Sequence, residues 1–158
     1  MERLFCILLT MVLFTDSKAF CQNDVVLRGV MQVSELLSGP DRIWFGKAYD
    51  EYQTDRDLCN LIAKKTKGTH WIVFAGNWCE DTHKLLPVFY KVLDQAKISH
   101  RSIQLVFLDR GKNSPEGLEN KYNISRLPTF ILMQGDEEIG RIVERIDGSI
   151  EDEILKLQ

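Results

Sequence analysis

Trp71-Ile72-Val73-Phe74-Ala75-Gly76-Asn77-Trp78-Cys79-Glu80-Asp81-Thr82-His83 is the stretch on which the reading of this chain turns. Trp71 to Ala75 form a short, nearly unbroken apolar run, as expected of a central strand buried on both faces. Beyond Gly76 the pattern changes. Leu85, Leu86, Phe89, Val92, Leu93 and Ala96 recur at helical spacing, which predicts a long helix from about Cys79 to Lys97. Pro87 lies inside it and is expected to kink it, because its ring removes one backbone hydrogen bond. Cys79 therefore opens a helix directly after a buried strand. A sulfur placed there meets unpaired backbone N–H groups and the positive end of the helix dipole, and both favour the nucleophilic thiolate. Glu80 and Asp81 push the other way, since nearby carboxylates disfavour a second negative charge. Thr82, three residues on, can donate a hydroxyl hydrogen bond to the sulfur. His83, four residues on, shares that helix face and adds an attractive charge when protonated. The plainer expectation for His83 is an exposed polar residue on the wet face of the helix.

Downstream, Ile103 to Leu108 reads as a second buried strand closed by Asp109. Ser114-Pro115-Glu116 reads as the cap and first turn of a short helix reaching Tyr122, because proline suits the first helical position. Thr129 to Met133 and Ile139 to Ile146 read as a hairpin around Gln134-Gly135-Asp136-Glu137. Ser149 starts a last helix with Ile150, Ile154 and Leu157 on one face. Upstream, Thr54 or Asp55 caps a helix carrying Leu58, Leu61 and Ile62. Residues 22 to 53 are harder to organise. Val25 to Leu27 suit a short strand, Val30 to Leu37 suit a helix ended by Ser38-Gly39-Pro40, and Ile43-Trp44-Phe45 with Tyr49 and Tyr52 are expected to cover an edge of the core. Crossover helices between buried strands predict an α/β fold, a central mixed β-sheet with helices on both faces.

The stretch Trp71 to Pro87 resembles the strand, Trp-Cys-x-x-Cys site and helix of the thioredoxin family, with Pro87 at the family's kink position. Ile124-Ser125-Arg126-Leu127-Pro128-Thr129-Phe130 resembles the family loop that holds a cis-proline before the next strand, and Asp109 and Gly148 also fall at family-like positions. The similarity covers roughly Thr54 to Leu157 and is nearest to exported bacterial members that write the motif as Trp-Cys-x-Asp. The resemblance implies the thioredoxin fold. It also implies that Trp78, Leu127, Pro128 and Thr129 line a substrate groove beside the nucleophile Cys79, where an extended peptide pairs like an added strand. Two departures stand out. Thr82 occupies the position of the second, resolving cysteine, and Val73 replaces the buried acid of the preceding strand. A site of this kind can form a mixed disulfide but cannot resolve it locally.

At the amino end, Arg3 and the apolar run Leu4 to Phe14 read as a signal peptide spanning residues 1–21, with cleavage after Ala19 or after Cys21. The remainder divides into an N-terminal extension, 22–53, and a thioredoxin-like domain, 54–158. The expected location is periplasmic or secreted, with no stable membrane insertion after cleavage. Of the four cysteines, Cys6 leaves with the leader, and Cys59 and Cys79 are the secure members of the mature chain. For Cys59 the readings are a packed free thiol, a disulfide with Cys79, or pairing with Cys21 or another chain. A length of 158 residues suits one domain, and a net charge of −3 argues against a nucleic-acid partner. Cys79 and His83 at helical spacing raise a copper carrier, but the thioredoxin-fold carriers resembled have Cys-x-x-x-Cys and a distant histidine, and only half of that is here. No metal or cofactor is expected. The favoured reading is thiol–disulfide exchange or mixed-disulfide formation at Cys79, tuned by Thr82 and His83. Its partners would be exported polypeptides or small thiols such as glutathione. A non-catalytic peptide-binding module is the rival, and the copper carrier a third.

Overall fold

Gly29–Met31 (β1), His70–Ala75 (β2), Ile103–Phe107 (β3), Thr129–Gln134 (β4) and Glu137–Val143 (β5) form one sheet in the order β1-β3-β2-β4-β5. The computed structural model describes residues 25–157, so the leader read at residues 1–21 lies outside the described residues. β2 sits at the centre, parallel to β3 and antiparallel to β4, and β1 and β5 close the two edges in antiparallel fashion. This position explains the unbroken apolar run. A strand with neighbours on both sides and packing on both faces has no wet side, and every residue from Trp71 to Ala75 is buried.

Val33–Ser38 (α1), Arg42–Glu51 (α2), Arg56–Lys65 (α3), Glu80–Gln95 (α4), Leu118–Lys121 (α5) and Ile150–Lys156 (α6) flank the sheet. They do so unequally. On one face Trp71, Val73 and Ala75 meet Phe45, Ile62, Leu86, Phe89, Ile150 and Ile154, drawn from α2, α3, α4 and α6. On the other, Ile72 and Phe74 meet Leu127, Ile131 and, at the periphery, Leu118, Tyr122 and Trp78. Each large apolar side chain so buried contributes about 1.5–3 kcal/mol. Asp55 caps α3 by accepting the N–H groups of Asp57 and Leu58, and Ser149 caps α6 by accepting that of Asp152.

Several local readings shift. The strand read at Val25 to Leu27 lies at Gly29–Met31, paired with β3, and the helix read from Val30 starts only at Val33. Residues 42–51, read only as aromatic cover, form α2, with Phe45 buried beside Tyr90 at a centroid distance of 5.8 Å. The helix read from Ser114 starts at Leu118. Both the amide and the hydroxyl of Ser114 donate to the buried Glu119 carboxylate, and Gly117, at φ 66°, makes the left-handed turn into α5. The second hairpin strand ends at Val143 rather than Ile146.

Residues 25–53 are tied to the rest by polar contacts as well as packing. The Tyr52 hydroxyl donates to the buried Glu151 of α6, whose other oxygen accepts the Asp55 N–H. Burial, then the Glu151 hydrogen bond and charge, push the Tyr52 phenol well above its ordinary range. Arg28 pairs with Asp109 at 3.2 Å just past β3.

Candidate functional site

Cys79 is the N-cap of α4. Its backbone is extended (φ −95°, ψ 120°), and its carbonyl accepts the His83 N–H. A tight turn delivers it there from β2, closed by the Cys79 N–H donating to Gly76 O at 2.9 Å. The sulfur is half-buried and carries no disulfide. Its polar neighbour is Leu127 O, at 3.5 Å.

The turn is pinned from three directions. The Gly76 N–H donates to Thr82 Oγ1 at 3.2 Å. Trp78 turns to the α5 side and donates from its indole nitrogen to Leu108 O at 2.9 Å, with the Arg110 guanidinium 5.7 Å from the ring centroid. Asn77 turns to the opposite side, where its side chain meets residues 25–27. A Cβ on Gly76 would stand 2.9 Å and 3.0 Å from two atoms of the Trp78 indole and 3.2 Å from Leu127 Cδ1. The indole is held by Leu108 O and cannot simply swing away. Gly76→Ala is therefore expected to cost about 1–3 kcal/mol through overpacking, read as a lower urea midpoint at an unchanged slope.

The sequence placed Thr82 and His83 around the sulfur, and the structure gives them other work. Thr82 is fully buried, and its hydroxyl oxygen accepts the Gly76 N–H; no hydrogen bond from it to Cys79 Sγ is found among the described residues. His83 is half-buried, not on a wet face. It stacks on Trp44 of α2 at a centroid distance of 4.2 Å and an interplanar angle of 17°, and its Nε2 lies 2.6 Å from Asn77 O. A carbonyl can only accept, so Nε2 carries the proton in that contact. Glu80 and Asp81 are both engaged by Lys84, at 3.0 and 3.8 Å, which offsets the repulsion expected next to the sulfur. The hydrogen bond and charge of Lys84 hold the Glu80 carboxyl below its usual range. Glutamate and lysine four apart on a helix made that pair legible; the partners of Asn77 and His83 carried no such signal.

On the far side of Cys79 the Leu127–Pro128 peptide bond is cis. The side chains of Leu127, Pro128 and Thr129 are all buried, so this loop presents backbone to the thiol. Pro128 O is already taken by the Glu144 N–H at 2.8 Å, and the Thr129 hydroxyl donates to Arg126 O at 2.8 Å. That leaves Leu127 as the loop residue whose carbonyl faces the sulfur. Val73 stands buried in β2 where the family acid would be. Cys59, on α3, is sealed in the core as a free thiol, so no bridge joins it to Cys79. Burial, helped by the Glu151 and Asp55 charges, pushes the Cys59 thiol up to about 11.

The family model described as thioredoxin matches residues 42–151. The chain belongs to the thioredoxin family. It is 22% identical over 94 residues to an H-type thioredoxin of Brassica campestris, covering 60% of this chain and 72% of that protein. It is 29% identical over 85 residues to thioredoxin H2-1 of Oryza sativa subsp. japonica, covering 54% of each. Among solved structures it is similar to a Pseudomonas aeruginosa protein of unknown function, with a TM-score of 0.56, 13% identity, and 73% and 72% of the two chains covered. It is also similar to an HIV epitope scaffold, with a TM-score of 0.53, 15% identity and 82% of both chains covered. The mixed five-stranded sheet with flanking helices is the thioredoxin fold, and it suits a thiol–disulfide redox or binding role.

Proposed function

We propose that this thioredoxin-family chain is an exported, single-cysteine thiol protein. Its Cys79 exchanges into disulfides of extended polypeptides or of small thiols such as glutathione. The observation that carries the reading is the contrast between the two described cysteines. Cys79 is half-exposed on a pinned turn at a helix N-cap, whereas Cys59 is sealed and held protonated to about 11. Export is supported by the leader-like run after Arg3.

In the forward step the Cys79 thiolate attacks one sulfur of a partner disulfide. A new S–S bond forms to Cys79, the old one breaks, and the second partner sulfur leaves as a thiolate that takes a proton from water. In the release step an external thiolate attacks the mixed disulfide, expels Cys79 and leaves the partner joined to the external thiol. No net oxidant is consumed. Trp78 and the Leu127 backbone flank the incoming chain, one from each side of the sulfur, and the helix N-terminus favours the Cys79 thiolate that attacks in the first step and is expelled in the second.

Incubating the native protein with oxidised glutathione is expected to add one glutathionyl group, located on Cys79 by peptide mass mapping and absent from Cys79→Ser. Iodoacetamide is expected to label Cys79 at least about 100-fold faster than Cys59, since Cys59 is sealed in the core and its thiol is pushed up to about 11. A Cys79 that is inert to both reagents would overturn the thiol mechanism. Capture of a reduced, unfolded polypeptide by Cys79→Ser with the affinity of the native protein would favour the peptide-binding module instead.

A further inference from the structure

Asn77 uses its whole side chain on residues far away in sequence. Its Nδ2 donates to Val25 O at 2.7 Å, and its Oδ1 accepts the Leu27 N–H at 3.1 Å, so the amide acts as the strand neighbour that residues 25–27 otherwise lack. The same Nδ2 lies 3.5 Å from Asp41 Oδ2, at the start of α2. The other oxygen of Asp41 accepts the Trp44 indole N–H at 2.8 Å. Trp44 stacks on His83, and His83 returns to Asn77 through the main-chain carbonyl at 2.6 Å. The contacts close a circuit from the turn through α2 and α4 and back to the turn, and Cys79 stands two residues from its start.

We propose that Asn77 is a positioning residue for Cys79, the joint through which residues 25–27 and α2 set the sulfur against Leu127 O. The inference rests on the reading of Cys79 as the reacting atom. The residue type follows from the partners. Two donors and one acceptor are needed at one short side chain, facing a carbonyl, a carboxylate and an N–H, and asparagine supplies them all. Aspartate would set an anionic oxygen against both Val25 O and the Asp41 carboxylate. Alanine would leave the three partners to water and release the turn on that side.

The test measures the rate of Cys79 alkylation by iodoacetamide across the neutral pH range in the native protein, Asn77→Ala, Asn77→Asp and the double variant Asn77→Asp/Asp41→Asn. Ile154→Val, a buried change on α6 outside the circuit, serves as the control for destabilisation alone, and urea unfolding is recorded for every protein. Asn77→Ala and Asn77→Asp are expected to change the rate by about tenfold or more, because displacement of a reacting group is costly even when the change lies beside it. The double variant is expected to recover only part of the native profile, because Val25 O still faces a carboxylate in place of its Nδ2 donor. The amide introduced at position 41 can accept from Trp44 and donate to the carboxylate introduced at position 77, while the Leu27 N–H keeps its acceptor. Ile154→Val is expected to keep the native rate. Folded Asn77 variants with the native profile would overturn the inference, as would an Asn77→Asp defect that the double variant does not lessen, or equal changes in Ile154→Val. An unreactive native Cys79 would strike the proposed function itself, so the two failures are distinguishable.

Discussion

Thr82→Cys is expected to raise dithiothreitol-driven reduction of insulin by at least about 100-fold over the native protein, which should barely exceed the uncatalysed rate. The gain comes from resolution. In the proposed single-cysteine mechanism every mixed disulfide on Cys79 waits for an external thiol, a bimolecular event. A cysteine one helical turn along attacks from within, and its effective concentration exceeds that of any added reductant. Positions three apart at a helix start have Cα atoms about 5 Å apart, inside the range of roughly 4.4–6.8 Å that disulfides span. The variant does lose the Gly76 N–H to Thr82 Oγ1 bond, and a buried donor left without its acceptor costs about 1–3 kcal/mol, too little to unfold a domain of this size. Brisk turnover by the native protein would refute the single-cysteine mechanism, because it would require a resolving group that the described site does not hold.

The largest stability effect is expected at Phe89. Fully buried on the inner face of α4, it meets Trp71 of β2 edge-on at 5.0 Å and Phe130 of β4 at 4.6 Å, so it joins the helix that begins at Cys79 to the two strands that frame it. Phe89→Ala removes a ring from between aromatic neighbours, and the sheet and helix cannot close the gap without breaking other packing. The expected cost is about 3–5 kcal/mol, measured by urea denaturation. A loss under about 1 kcal/mol would mean that α4 shifts to refill the space, and that the packing around Phe89 is looser than its distances indicate.

Legibility followed packing. Trp71 to Ala75 could be read because two-faced burial leaves one unbroken apolar run, and α4 because its apolar residues repeat every three or four positions over sixteen residues. Residues 25–53 could not. β1 is three residues long, and α2 carries Gly46 at its centre and Asp50 and Glu51 at its carboxyl end, where acids oppose the helix dipole. What holds α2 helical is tertiary, the seating of Phe45 on Tyr90 and of Trp44 on His83. The site divides along the same line. Cys79 on its turn, the Thr82 position and the Leu127-Pro128 loop carry local signatures. The roles of Asn77 and His83 depend on partners that no local pattern announces, as does the Gly76 amide that the Thr82 hydroxyl oxygen accepts. At Ser114 a proline in a plausible first turn outweighed, on paper, a glutamate that in three dimensions claims the serine from above.

β1 pairs Gly29 with Phe107, so the first strand among the described residues finds its edge only after β3 has been made. A chain that emerges from its amino end must therefore carry β1 unpaired until residues 103–107 have been built behind it. The segment that meets Asn77 is thus made before the strand that its neighbour β1 pairs with.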